Sequence, residues 1–154
     1  MPPLQKNTGE RCMGRGRGGL TTKINAHVDG RGRALAFVLS PGQTHDVQAA
    51  AELLSLLGAG CTVLADKADD SNAVRAQIAK AGATANIPPK AHRRQRPPFD
   101  PVLYKQRNLI ERFFNKLKHY RRIATRYEKT ASNFLAFIKL ATVRLWLRTY
   151  EYTT

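Results

Sequence analysis

Ile24, Ala26 and Val28 alternate with Lys23, Asn25 and His27. This period of two commits the segment that begins at Leu20 to a β-strand with one polar face. Asp29-Gly30 follows as a turn signal. Residues 34–39 are a nearly unbroken apolar run, as expected of a strand covered on both faces, and Ser40-Pro41-Gly42 closes it. The chain must therefore grow from an antiparallel hairpin. Asp46 heads a helix-forming stretch, residues 47–57, which Gly58 and Gly60 end. Residues 61–65 form a short apolar strand ending at Asp66. Asp70 or Ser71 can cap the next helix, which runs to Ala81 and stops at Gly82. Residues 84–87 make a last short strand, ended by Pro88-Pro89. A basic, proline-rich loop spans 90–101, and two helices follow over 102–122 and 131–148. The order ββ-α-β-α-β-αα predicts an α/β domain built on a mixed sheet. Residues 1–19 have no apolar periodicity. Their Gly14, Gly16, Gly18 and Gly19, interleaved with Arg15 and Arg17, read as a flexible basic lead-in able to lie along phosphates, or as a plain disordered start.

At 154 residues the chain is the size of one domain and long enough to bury a core. Lys and Arg number 26 against 11 Asp and Glu, a formal charge of +15. That excess points to a polyanionic partner, nucleic acid above all, with a membrane surface as the rival class. No secretory apolar region and no long uncharged apolar run is visible; Lys139 and Arg144 interrupt the last helical segment. The expectation is a soluble cytoplasmic protein without a membrane partner. Cys12 and Cys61 are too few for a disulfide framework or a zinc site. Residues 90–129 hold 13 of the 26 basic residues and only Asp100, Glu111 and Glu128 on the acidic side. This part is the electrostatic footprint expected for DNA or RNA; a solvated basic helix is the alternative.

At ~100° per residue, Tyr104, Arg107, Glu111 and Lys118 fall in one stripe about 60° wide. The stripe borders the apolar face made by Leu103, Leu109, Ile110, Phe113, Phe114, Leu117 and Tyr120. A carboxylate held there among cations suits metal or phosphate work. An i,i+4 ion-pair face, Arg107 with Glu111, accounts for the same spacing. Asp66 ends an apolar strand at the carboxyl edge of the sheet, where α/β sites form; a cap or turn role is its alternative. His27, His45, His92 and His119 show no metal-ligand spacing, and Trp146 with the Phe134, Phe137 and Ile138 stripe reads as core.

The segment Tyr104-x-x-Arg107-x-x-x-Glu111-x6-Lys118 resembles the YREK signature of bacterial DDE transposases. GRGRGGLTTKI (14–24), LSPGQTHD (39–46), ADK (65–67), NLIERFFNKLKHYRRIATRYEK (108–129) and NFLAFIKLATVRLWLR (133–148) resemble the insertion-sequence-five family within the larger insertion-sequence-four superfamily. The likeness spans residues 14–148. It implies an RNase H-like fold and an Asp, Asp, Glu triad binding two divalent ions, Mg²⁺ or Mn²⁺. Asp66 carries over as the second Asp and Glu111 as the Glu. Tyr104, Arg107 and Lys118 become DNA-binding residues, joined by the basic Arg112, Lys116, Arg121 and Arg122. The implied reaction is DNA nicking followed by attack of a 3′-hydroxyl on target DNA.

Three departures from that pattern stand out. The first catalytic Asp, with the strand that carries it, is missing: Asp29 falls in the hairpin turn and Glu10 in a Pro, Gly and polar run. The family's Asp-Lys-Gly-Tyr-Asp reads Asp66-Lys67-Ala68-Asp69-Asp70 here. The family's N-terminal DNA-end recognition region has no counterpart. The missing strand is the central one of an RNase H-like sheet. Hence the hairpin and the 61–66 strand must pair directly, leave a gap, or accept a strand from another chain, such as another transposase chain or an upstream-frame product. Marginal stability or dependence on a partner follows. The domain reading is a lead-in over 1–19 and a partial catalytic domain over 20–150. Two further functions fit the charge alone: a non-catalytic DNA-binding regulator of full-length transposase, and an RNA-binding accessory protein, which lacks the aromatic sheet-face pattern of single-strand RNA readers.

Overall fold

The computed structural model describes residues 13–16, 19–42 and 46–151. Strands β1 (Gly14–Gly16), β2 (Gly19–Val28) and β3 (Ala34–Pro41) form an antiparallel sheet in that order. Helix α1 (Asp46–Leu54) leads to β4 (Thr62–Leu64) and a 3-10 turn at Lys67–Asp69. Helix α2 (Asn72–Lys80) and strand β5 (Thr84–Asn86) follow, with β5 parallel to β4 in a separate two-stranded sheet. The remainder is helical: α3 (Pro101–Tyr104), a 3-10 turn at Lys105–Arg107, α4 (Asn108–Lys118), α5 (Arg121–Ala124) and α6 (Ala131–Glu151).

The element order is the expected one, but the single mixed sheet is not formed. Among the described residues β2 pairs only with β1 and β3, and β4 only with β5. Residues 14–16 of the expected lead-in are strand β1, because Gly14 and Gly16 pair with Thr21 and Gly19. Residues 1–12, 17 and 18 lie outside the described residues. The run at 34–39 is not fully covered on both faces: Ala34 is buried while Leu35 is about half exposed. The exposure is confined to Leu35 at the start of the strand: Phe37 and Leu39, on the same alternate set, pack on the core, and residues 36–39 are all partly buried, so the apolar run overstates burial mainly at its beginning. Helix α1 ends earlier than its composition suggests, at Leu54. The 102–122 helix is divided, since a 3-10 turn at Lys105–Arg107 tightens the backbone between α3 and α4 and Tyr120 turns extended before α5.

The hairpin turn is built by Asp29. Its carboxylate accepts from the Arg31 and Arg33 amides, both at 2.9 Å, and pairs with the Arg33 guanidinium at 2.7 Å. Burial pushes this carboxyl up, but those donors hold it below its ordinary value. Gly32 sits at φ +77° inside the turn, and its amide donates to the Asp29 carbonyl. Gly32→Ala should therefore cost about 1–2 kcal/mol through left-handed strain, read as a lower urea midpoint at unchanged slope.

Two apolar clusters result. Ala34, Phe113, Leu117, Ile123, Phe134, Ile138 and Ala141 pack under the hairpin. Leu54, Val74, Ile78 and Ile87 pack around β4 and β5. Phe134 and Ile138 are core, as expected, whereas Phe137 is half-buried under Arg122 and Trp146 carries Arg33 over its ring at 5.1 Å.

Two polar fastenings pin the 87–100 loop. At one end Asp70, not a cap but a fully buried carboxylate, accepts from Arg75 Nε at 2.7 Å, Arg93 Nε at 2.6 Å and the Lys90 amide at 2.7 Å. Ser71 is the cap of α2. At the other end the buried Asn86 side chain donates to the Asp100 carbonyl at 3.0 Å and accepts from the Asp100 amide at 2.8 Å. Asp100 then caps α3 through the amides of Val102 and Leu103. Through β5 and Asn86, the helical segment from 101 onward is thus fastened to the sheet that ends at Asp66.

Candidate functional site

Asp66 follows β4, and its carboxylate does two things. Oδ1 accepts from the Lys67 amide at 2.6 Å, capping the 3-10 turn, while the Asp69 carboxylate receives the Asp66 amide. Oδ2 accepts from Arg107 Nη2 at 3.0 Å, across 41 positions of chain. Glu111 lies in the first turn of α4 and accepts from Arg107 Nη1 at 2.8 Å. The cap and ion-pair readings of these residues are therefore both realised, and so is the convergence that neither reading required. One planar guanidinium fork joins two carboxylates from different elements.

The Asp66 and Glu111 side chains are 54% and 63% exposed, and Arg107 is 25% exposed. Ion pairs so open to water add at most about 1 kcal/mol to stability. Their effect is position: Asp66 and Glu111 are held on either side of one cation at the surface.

Tyr104 stands beside this group, edge-on to Phe99 at 5.3 Å between ring centres. Burial pushes its phenol above the ordinary value; Arg107 opposes this, and the Asp66, Glu111 and Asp69 charges add to it. At neutral pH it is a proton donor. Lys118 is exposed at the far end of α4, seven residues or about 10 Å along the axis from Glu111. Arg112, Lys116, Arg121 and Arg122 are all exposed. Of the 13 basic residues in 90–129, however, Arg93 is committed to Asp70, Arg107 to the two carboxylates and Arg126 to the Thr22 hydroxyl and the Phe134 ring. The free footprint is smaller than the count implies.

His92 and His119 are exposed. His27 is partly buried, and that burial lowers its pKa. His45 lies outside the described residues.

Carboxylate oxygens suit a hard divalent cation. Asp66 and Glu111 supply two such donors around a point now bridged by a guanidinium. Among the described residues no group of three His, Cys, Asp or Glu side chains is placed to hold a metal. The donor set fits one hard cation completed by water and falls one carboxylate short of a two-ion cradle.

A cavity of about 850 Å³ opens beside this site, between β2 and β4. Asp66, Arg107 and Glu111 are among its lining residues. Among the described residues no helix is long and apolar enough to cross a membrane.

Sequence reasoning missed Asp70 and the Asn86–Asp100 clamp as positioning groups. Asp70 reads as one of two cap candidates with Ser71, and nothing local marks Lys90 and Arg93 as its partners.

Comparison with known proteins follows the same line. The family model described as Transposase DDE domain matches residues 3–146. A Brucella ovis protein assigned as a transposase for insertion sequence element IS6501 is 46% identical over 130 residues, covering 84% of this chain and 100% of that protein. No solved structure matches.

Proposed function

Because the chain belongs to the transposase DDE domain family, we propose that it acts on DNA as the catalytic-domain part of an insertion-sequence transposase, of the insertion-sequence-five kind. The observation that carries this reading is the convergence of Asp66 and Glu111 on Arg107. The domain is an RNase H-like α/β unit over residues 20–150, extended at its start by β1 and with no central strand between β2 and β4 among the described residues.

Asp66 and Glu111 are the residues that would hold a divalent ion, Mg²⁺ or Mn²⁺. Such an ion, when bound, supplies charge stabilisation for an in-line displacement at phosphorus. The chain's own residues position the DNA. Arg107, released from its carboxylates, offers a bidentate grip on a phosphate. Lys118 extends the face of Arg107 and Glu111, while Arg112 and Lys116, more than ~100° round α4, and Arg121 and Arg122 on α5 track the backbone to either side. Tyr104 donates its hydroxyl beside the carboxylates to orient the strand. The first carboxylate of a complete triad is not among the described residues, so the chain alone should show little strand transfer. A non-catalytic DNA-binding role is the second reading, and it is favoured by that same shortfall.

A Mn²⁺ titration followed by electron paramagnetic resonance separates the two. The expected result is one saturable ion per chain, weakened at least tenfold in Glu111→Gln and in Asp66→Asn, with both variants melting as the parent does. Binding unchanged in both variants would remove these residues from the site.

A further inference from the structure

We propose that the loop from Lys90 to Pro98 is a second contact with the DNA backbone, in which Arg94 and Arg96 take phosphates and the buried Asp70 holds the loop in its contacting shape beforehand. The inference deepens the reading that the chain acts on DNA, and rests on it.

The loop starts and ends beside the candidate site. Strand β5 runs parallel to β4 with Leu64 opposite Asn86, so the chain leaves β5 at the edge where Asp66 lies. It returns at Phe99, whose ring stands edge-on to Tyr104. Between those points the backbone is pinned. The Lys90 amide donates to Asp70, and the Lys90 carbonyl accepts from the Arg93 amide at 3.1 Å. The Arg93 guanidinium reaches Asp70 through Nε and the Asn72 side chain through Nη1. Arg94 therefore follows directly on an anchored residue. On the far side Pro97 and Pro98 restrict the backbone, and Asn86 holds both the amide and the carbonyl of Asp100.

Charge is sorted along this loop. Arg93 is neutralised by a buried carboxylate. Arg94 and Arg96 are exposed, and among the described residues neither has a carboxylate within ion-pair reach. Two cations held close in sequence on a fixed loop, with no counter-charge, repel each other; a line of phosphates removes that repulsion. The guanidinium fork matches phosphate oxygens in pairs. A loop already held in one shape also has less freedom to lose on contact than a mobile basic tail.

The experiment is fluorescence anisotropy of the full chain with a labelled DNA duplex across a salt series. Arg94→Ala and Arg96→Ala should each flatten the log–log salt slope by about one and leave the melting temperature as in the parent. The double variant Pro97→Gly, Pro98→Gly keeps every charge and frees the backbone; it should weaken binding roughly threefold at unchanged slope. Arg93→Lys keeps the charge but lacks the fork that joins Asp70 and Asn72, and should give the same signature; if it does not fold, the proline variant decides alone. A steep parent slope that neither arginine variant changes would overturn the loop contact and leave the DNA reading standing. A shallow parent slope would overturn both. Affinity unchanged in the proline variant would overturn the holding of the loop beforehand. Arginine effects confined to an RNA duplex would overturn DNA as the ligand.

Discussion

Asp70→Ala should destabilise the chain by about 3–5 kcal/mol, the cost of leaving buried cations without their counter-charge. The Asp70 side chain is inaccessible, and it joins the start of α2 to the loop through Arg75, Arg93 and the Lys90 amide. The same two arginines reach on to the Ile87 carbonyl and the Asn72 side chain, at 2.9 Å each. Removing one carboxylate therefore unfastens β5, α2 and the loop together. The pH dependence has a definite sign. Burial pushes the Asp70 carboxyl up, but Arg93, the Lys90 amide and Arg75 override it and hold the group well below its ordinary 3.8. A carboxyl depressed in the folded state contributes fully above its unfolded value and loses that contribution as pH falls toward the folded one. The parent should lose stability progressively below about pH 3.8, and Asp70→Asn should lack that part of the slope. Urea midpoints of both chains between pH 7 and pH 2.5 check this. Parallel curves would mean that Asp70 is not the group responsible.

The second large effect is on DNA affinity. A duplex contacted through six to ten phosphates loses about 10³–10⁵ in affinity between 50 and 200 mM salt. The five exposed cations of α4 and α5 (Arg112, Lys116, Lys118, Arg121 and Arg122) by themselves put this protein just below that range, at roughly 10²–10³ over the same salt interval. Each of Arg112→Ala, Lys116→Ala, Lys118→Ala and Arg121→Ala should flatten the log–log salt slope by about one. Leu140→Ala, on the exposed face of α6, should leave it unchanged. Fluorescence anisotropy across a salt series is the measurement. A shallow slope in the parent chain would remove the DNA-binding reading altogether.

Local pattern carried much of the fold. Alternation at residues 23–28, the Asp29-Gly30 turn and the glycines after α1 and α2 depend on near neighbours, so they are written in the sequence. The Asp66 and Glu111 pair was legible through spacing and resemblance, while its bridging by Arg107 is a tertiary fact. What was not legible depends on distant partners. Asp70 and Ser71 are equally good caps on paper; only Lys90 and Arg93, some 20 residues on, single out Asp70. Likewise β4 is apolar enough for a central strand, and composition does not say that, among the described residues, it pairs with β5 alone. The helix through Tyr104 was drawn with a uniform twist, and the 3-10 turn at Lys105–Arg107 rotates Tyr104 relative to Glu111.

The two apolar clusters share no residue, and the cavity beside Asp66 lies between the strands that pack on each. Cooperativity in a small domain comes from contacts that make one part's order depend on another's. Here the hairpin with α4 to α6 and the β4–β5 layer with α2 are coupled through α1, which packs on β2, β3 and α2, through the Arg107–Asp66 pair and through the fastenings of the 87–100 loop. Such a protein can open in two stages, one for each cluster. Helix α1 touches both halves, so its order is what ties the two stages into one transition.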